Sequence, residues 1–186
     1  MSRMTEDTAA RYRRLAADLT RRVETVPAAR WDSPSPCAEW TARGVLGHVI
    51  EAHERAPGFV GLPWPPGPSV DDDPVAAWAH TRDRTLEMLE DPSRAELEHD
   101  GVFGRTSLAQ TVGTFVCFDL IVHGWDIARA TGGDETIPPG DVEDAFAFTA
   151  RLGDMMRTPG VFGPAVPVPD DADRQAQLLG WLGRQP

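Results

Sequence analysis

Three side chains in this sequence have the types and spacing to hold a cation. Asp119 and His123 stand four residues apart inside the apolar run VGTFVCFDLIVHGWDIARAT (112–131), which contains no proline and reads as a buried helix. On a helical wheel Val112, Phe115, Asp119, His123, Asp126 and Ala130 fall on one stripe. Side chains at i and i+4 point the same way with Cβ atoms about 5–6 Å apart, so this carboxylate and imidazole share one place. Setting both in an apolar seam is costly unless they pair or bind a cation. His48 is the third. Its helix aligns it with Val45, Ala52, Ala56 and Phe59, a face that points it toward the interior. Two imidazole nitrogens and one carboxylate oxygen from facing helices suit a divalent transition metal, with one position left for water or substrate. Zinc is the first choice, and nickel, iron and manganese are compatible with the same donors.

A plainer reading uses the same residues. Asp119 and His123 can pair within their own helix, with His48 a satisfied core histidine. On residue types and spacing the two readings stand side by side. Asp126, one turn beyond His123, can accept from the ring nitrogen that a ligating histidine leaves free, or it can pair with Arg129 or Arg105. Asp126 and Glu51 are also the candidate bases, and Trp64 is a candidate pocket wall. His53 lies well round the helix from His48 and is expected at a solvent boundary. His80 and His99 lie in polar surroundings and receive no role.

The elements that must carry these residues are helices. An amphipathic helix is predicted over 5–26, with Leu15, Leu19, Val23 and Val26 as its apolar stripe, and Pro27 ends it. The loop 27–40 holds three prolines together with Trp31 and Trp40, both large enough to be expected against the bundle end. Thr41 caps a second helix running to about Arg55. Gly44 and Gly47 lie inside it at a cost of up to ~1 kcal/mol each relative to Ala, so close packing or ligand access is expected there. Residues 57–74 contain six prolines and three glycines and read as a long crossover able to wall a pocket. A third helix follows over 74–90. The polar stretch 91–106 makes a short ordered crossing at Val102-Phe103, and Ser107 or Thr106 caps the central helix, which ends at Gly132-Gly133. A helix from Asp141 to about Met156, an extended Pro/Gly segment and a short helix from Asp171 to Leu182 complete the chain. The expected fold is all-α: four main helices with long crossovers and a C-terminal helix closing one side, in a single domain over 1–186.

Composition narrows the function. Eighteen basic residues, every one of them Arg, against 29 acidic ones give a net charge of −11, which disfavours nucleic acid and anionic membrane surfaces as partners. The N-terminus has neither the apolar core nor the cleavage site of a signal peptide, and no uninterrupted apolar run reaches the ~18 residues of a membrane span. Of the two cysteines, Cys117 sits mid-helix as a small core residue. Together these predict a soluble, cytoplasmic protein.

Three blocks of sequence carry a resemblance. W-D-S-P-S-P-C-A-E-W-T (31–41), His48 and D-L-I-V-H-G-W-D-I-A-R-A-T-G (119–132) resemble an actinobacterial branch of the DinB-like superfamily, related to the N-terminal domain of mycothiol-dependent maleylpyruvate isomerase. The tail segments G-V-F-G-P-A-V-P-V-P (160–169) and L-L-G-W-L-G-R-Q-P (178–186) resemble it too, so the likeness covers nearly the whole chain. It implies a DinB/YfiT-like four-helix bundle whose metal ligands are His48, Asp119 and His123. The isomerase pattern has Glu where this chain has Asp119, one methylene shorter. The branch usually has an acid where this chain has Gly44, which would complete a capping box with Thr41. The function so implied is a metal-dependent transferase or isomerase acting on mycothiol and an electrophilic small molecule. The alternatives are a metal- or small-ligand-binding bundle without turnover, and a bundle with a vestigial site that serves in homodimer formation.

Overall fold

The computed structural model describes residues 7–153, 155 and 162–186. Helix α1 spans Thr8–Thr25, α2 Ala42–Gly58, α3 Pro74–Leu89, and a one-turn α4 Pro92–Ala95. Strands β1 (Glu98–Gly101) and β2 (Gly104–Ser107) form a two-stranded antiparallel hairpin in which Glu98 faces Ser107 and Gly101 faces Gly104. The central helix follows in three parts: α5 (Leu108–Thr111), a π-helical stretch (Val112–Val116) and α6 (Cys117–Thr131). Helices α7 (Pro139–Leu152) and α8 (Arg174–Trp181) pack on each other, and α7 also lies against α6. Helix α7 stops at Leu152, where Gly153 turns out of it at φ +52°, short of the expected end at Met156, which with the start of the 160–169 segment lies outside the described residues.

Neighbour relations explain the long connections from α1 to α2 and from α3 to the central helix. Helix α1 packs against α3 and α6, and α2 packs against the same two helices from the other side. Consecutive helices α1 and α2 are therefore diagonal in the bundle, as are α3 and α6. A tight turn cannot span a diagonal, so long connections are needed. The first of these, 26–41, brings Cys37 and Trp40 over the seam between α2 and α6.

Local chemistry sets the ends of the helices that carry the site. Thr41 Oγ1 accepts from Gly44 N at 3.1 Å to cap α2. Ser107 and Gln110 form a reciprocal capping box at the start of α5. Gly132, at φ +78°, ends α6 in the left-handed conformation that a side chain would resist. By length and mean hydropathy alone Leu108–Thr131 is apolar enough to cross a membrane, although Asp119, His123 and Asp126 interrupt it. Most of it is buried within the bundle, as in a core helix.

The buried side of α2 differs from the sequence expectation. The core stripe is Val45, Leu46, Val49, His53 and Ala56, because α3 and α6 both press on it. His53 is therefore fully enclosed, its ring edge-on to Tyr12 and Trp78 at 5.7 and 5.5 Å. His48 is only half-buried. Trp31 is in the core as expected, whereas Trp40 is exposed on its outer side. Gly44 and Gly47 have ordinary space around them: a Cβ on Gly47 would meet only Val70 Cγ1 at 3.7 Å, so close packing does not explain either residue.

Two outcomes follow. Gly47→Ala should stabilise the protein by up to about 1 kcal/mol in denaturant unfolding, through helix propensity alone; a loss of stability would show an unseen packing constraint. His53 Nδ1 donates to Val49 O at 2.6 Å, leaving Nε2 buried without a partner among the described residues. Burial pushes its pKa from 6.5 down to about 4. The unfolded chain then takes up this proton first, so stability is lost as pH falls from about 6.5 to about 4, by an amount on the order of 3 kcal/mol. His53→Leu should flatten the stability profile over that window by a comparable amount, and an unchanged slope would refute the assignment.

Candidate metal centre

Helix α6 presents His123 and Asp119 toward α2, and α2 presents His48 back. The ligand atoms of the three side chains lie within 4.8 Å of one another, and the rings of His48 and His123 meet edge-on at 4.9 Å. The structure thus brings together the three residues singled out for metal binding. The Trp40 ring lies 4.8 Å from that of His48 and covers it from the outside. Trp40 thus packs on the site but is 39% exposed, less covered than its size led one to expect.

Behind His123 stands a buried ion-pair network. Asp126 is completely shielded from solvent. Its Oδ2 bonds His123 Nδ1 at 2.9 Å. Arg184 donates to both of its oxygens, from Nε to Oδ1 at 3.1 Å and from Nη2 to Oδ2 at 2.8 Å. Cys37 Sγ donates to Oδ2 at 3.2 Å, and Arg184 Nη2 lies 3.4 Å from the same sulfur. The partner of Asp126 is therefore Arg184 and not Arg129 or Arg105, which pair with Glu135 and Glu98. With Nδ1 engaged, His123 has Nε2 as its remaining ring nitrogen, the arrangement common to ligating histidines.

Protonation follows from burial and neighbours. Burial opposes charge on Asp126, yet the bonds from His123 and Arg184 hold its carboxyl well below the usual range. Burial likewise disfavours an imidazolium at His123, and the hydrogen bond to Asp126 outweighs it and raises its proton affinity. His48 is pushed down to about 4, by burial first and then by the charge of His123, so its imidazole is neutral at physiological pH. The Asp119 pKa is raised by burial, against the pull of His123, Arg184 and Arg55. Among the described residues no hydrogen bond reaches its carboxylate.

Two donor sets share His123: His48, Asp119 and His123, and Cys37, His123 and Asp126. In the second, the guanidinium of Arg184 already holds the cation's place on Asp126. The first has no such competitor and opens onto a cleft of about 670 Å³. Phe59, Arg55 and His99 line this cleft, with the hairpin residues 100–106, Phe115 and Arg151. Donor chemistry and the unpartnered Asp119 carboxylate thus fit a divalent ion in the first set.

Two further sequence candidates lie elsewhere. Trp64 packs among Leu62, Pro65, Arg84 and Met88, away from the cleft, because its crossover runs along α3. Glu51 is exposed on α2 and reaches His48 only through its charge. Cys37, Trp40, His99 and Arg184, to which spacing assigns no functional role, also stand at the site or in its cleft wall. His99 is in the cleft wall, stacked on Phe59 at 5.2 Å and bonded through Nε2 to Thr111 Oγ1 at 2.8 Å. Arg184 had a signal, since a buried Asp126 requires a cation and Arg184 lies in one of the quoted tail blocks.

Asp126→Asn should lower metal affinity by roughly 10–100-fold, the usual effect of losing the partner of a ligating histidine. It should also cost about 3–5 kcal/mol by leaving Arg184 buried and uncompensated. Competition against a chelator and denaturant unfolding measure the two effects; an unaltered metal affinity would falsify the role given to Asp126.

Comparison with known proteins gives the chain a family. The family model for the mycothiol maleylpyruvate isomerase N-terminal domain matches residues 12–128. An uncharacterised protein of Mycobacterium tuberculosis, found in strains CDC 1551 / Oshkosh and H37Rv, is 29% identical over 153 residues, covering 81% of this chain and 83% of its own length. No solved structure matches significantly.

Proposed function

The chain belongs to the mycothiol maleylpyruvate isomerase N-terminal domain family, part of the DinB-like superfamily, and from that premise we propose that it is a metal-dependent thiol transferase or isomerase. His48, Asp119 and His123 hold a divalent ion, with zinc preferred by the donor set and nickel, iron or manganese compatible with it. The thiol is mycothiol, and its partner is an electrophilic small molecule admitted through the cleft. The observation that carries this reading is Asp119, a desolvated carboxylate without a hydrogen bond among the described residues, set between two imidazoles. A divalent ion there would lower the pKa of a thiol in its open position and keep it as the thiolate.

The chain's own residues have separable tasks. His48 offers a neutral ring, kept in place by Trp40. His123 is fixed by Asp126 and, through it, by Arg184. Neither carboxylate considered as a base is placed for that work, since Asp126 is occupied on both oxygens and Glu51 does not line the cleft. The cleft wall, with Phe59 and the hairpin, positions the electrophile beside His48 and Asp119.

Protein purified without added metal should carry on the order of one divalent ion per chain, and His48→Ala should lose it together with the stability it confers. Less than about a tenth of an equivalent, with no stability loss in His48→Ala, would sink the metal reading. Titration calorimetry with mycothiol on zinc-loaded protein tests the second step. Binding heat is expected, and its absence would leave a metal-binding bundle without thiol chemistry.

A further inference from the structure

Arginines in this protein are almost all spoken for. Those described are held in ion pairs with Asp or Glu, or, for Arg22 and Arg30, donate to main-chain carbonyls. The exceptions are Arg55 and Arg151. Among the described residues neither has a carboxylate within ion-pair distance, although the chain carries a net charge of −11 and acids are plentiful. Both line the same cleft, the one that opens on His48 and Asp119. Arg55 lies on the His48 face of α2, two turns further on, and its charge acts on both His48 and Asp119. The third cleft arginine, Arg105, is neutralised by Glu98 and Asp100.

The rest of the cleft wall includes exposed apolar side chains. Phe59 is 53% exposed and Val102, at the hairpin tip, 65%. Phe103 lies nearly parallel to Phe115 with 6.0 Å between ring centres, and Arg151 sits over the outer face of Phe103 at 4.7 Å. Large apolar side chains left exposed around a concavity mark a binding surface more often than chance exposure. The volume, about 670 Å³, is that of a small-molecule site.

We propose that this cleft takes an amphipathic carboxylate, with an aryl or alkyl body against Phe59, Phe103 and Phe115 and its anionic group held by Arg55 and Arg151. A planar guanidinium matches a carboxylate in shape as well as charge, and a half-enclosed apolar wall strengthens that attraction relative to open water. The proposal rests on the reading of the cleft as the substrate side of the metal centre, yet its two recognition elements do not involve the metal ligands. It assigns the electrophile a class: an apolar-bodied acid, as distinct from a short diacid or a neutral molecule.

The test is titration calorimetry on the full chain, once after chelator treatment and once with zinc, at neutral pH. The probes are hydrocinnamate, its neutral amide, and succinate as a diacid without an apolar body. Hydrocinnamate should bind roughly tenfold tighter than either comparator, the scale of one charge-assisted hydrogen-bonded contact. Arg55→Gln and Arg151→Gln should each remove most of the preference for acid over amide while leaving the amide's affinity unchanged, and Phe103→Ser should weaken both. Equal binding of acid and amide, an equal or better affinity for succinate, unchanged discrimination in both arginine variants, or no binding below about 10 mM would each overturn the proposal. Loss of the cleft on association of two copies, seen as probe binding that appears only on dilution, would overturn it as well. Zinc titration of the same samples separates the two readings, because the arginine variants should retain the metal and the metal reading can fail while acid binding persists.

Discussion

A carboxylate with no solvent-exposed surface has to be compensated within the protein, and Asp126 is that group here. Taking it out of water is among the most expensive steps in forming this core. Two partners meet the cost: the guanidinium of Arg184, which covers both oxygens, and the Nδ1–H of His123. Because Arg184 is two residues past Leu182, the bond ties the segment after α8 to the middle of α6. Because His123 turns Nδ1 to Asp126, its other nitrogen is aimed without needing a further constraint. The same charge that costs stability in the core thus fixes the direction of a ligand in the site.

The candidate metal centre has one half anchored in the core and one half facing a cleft. His123 is held by a buried network, while His48 and Asp119 face a cleft and are held by ring packing and by the helix backbone. Asp119 lies in the first turn of α6, three residues past the π-helical stretch Val112–Val116, where the chain carries an extra residue in one turn. That stretch sets the rotation between Phe115 on the cleft wall and Asp119 at the centre.

The helices were legible from apolar spacing, caps and prolines, and the seam carrying Asp119, His123 and His48 was legible from ionisable residues on apolar faces. What escaped was decided by the packing order. His53 lies well round α2 from His48, which points it to a boundary if a single helix packs on α2, whereas α3 and α6 enclose α2 from two sides. Trp64 was expected at the pocket because its crossover is long, but the crossover lies along α3. Cys37 and Arg184 come from segments far apart in sequence that meet only at Asp126, and periodicity has no information on such meetings. The hairpin was seen only as an ordered crossing, since its strands are polar and its sole apolar residues sit at the tip.

The diagonal placement of α1 against α2 and of α3 against α6 bears on how the chain acquires its structure. Helices joined by a short turn can close onto each other as soon as both exist, but a diagonal pair has no shared surface to reward such closure. Of the successive bundle helices, only α2 and α3 are both neighbours in space and linked directly. The remaining contacts, including every one that assembles His48 with Asp119 and His123, wait for long loops to close. The ligand cluster is thereby a late event in folding, absent from any local fragment of the chain, and its presence reports that the bundle as a whole is formed.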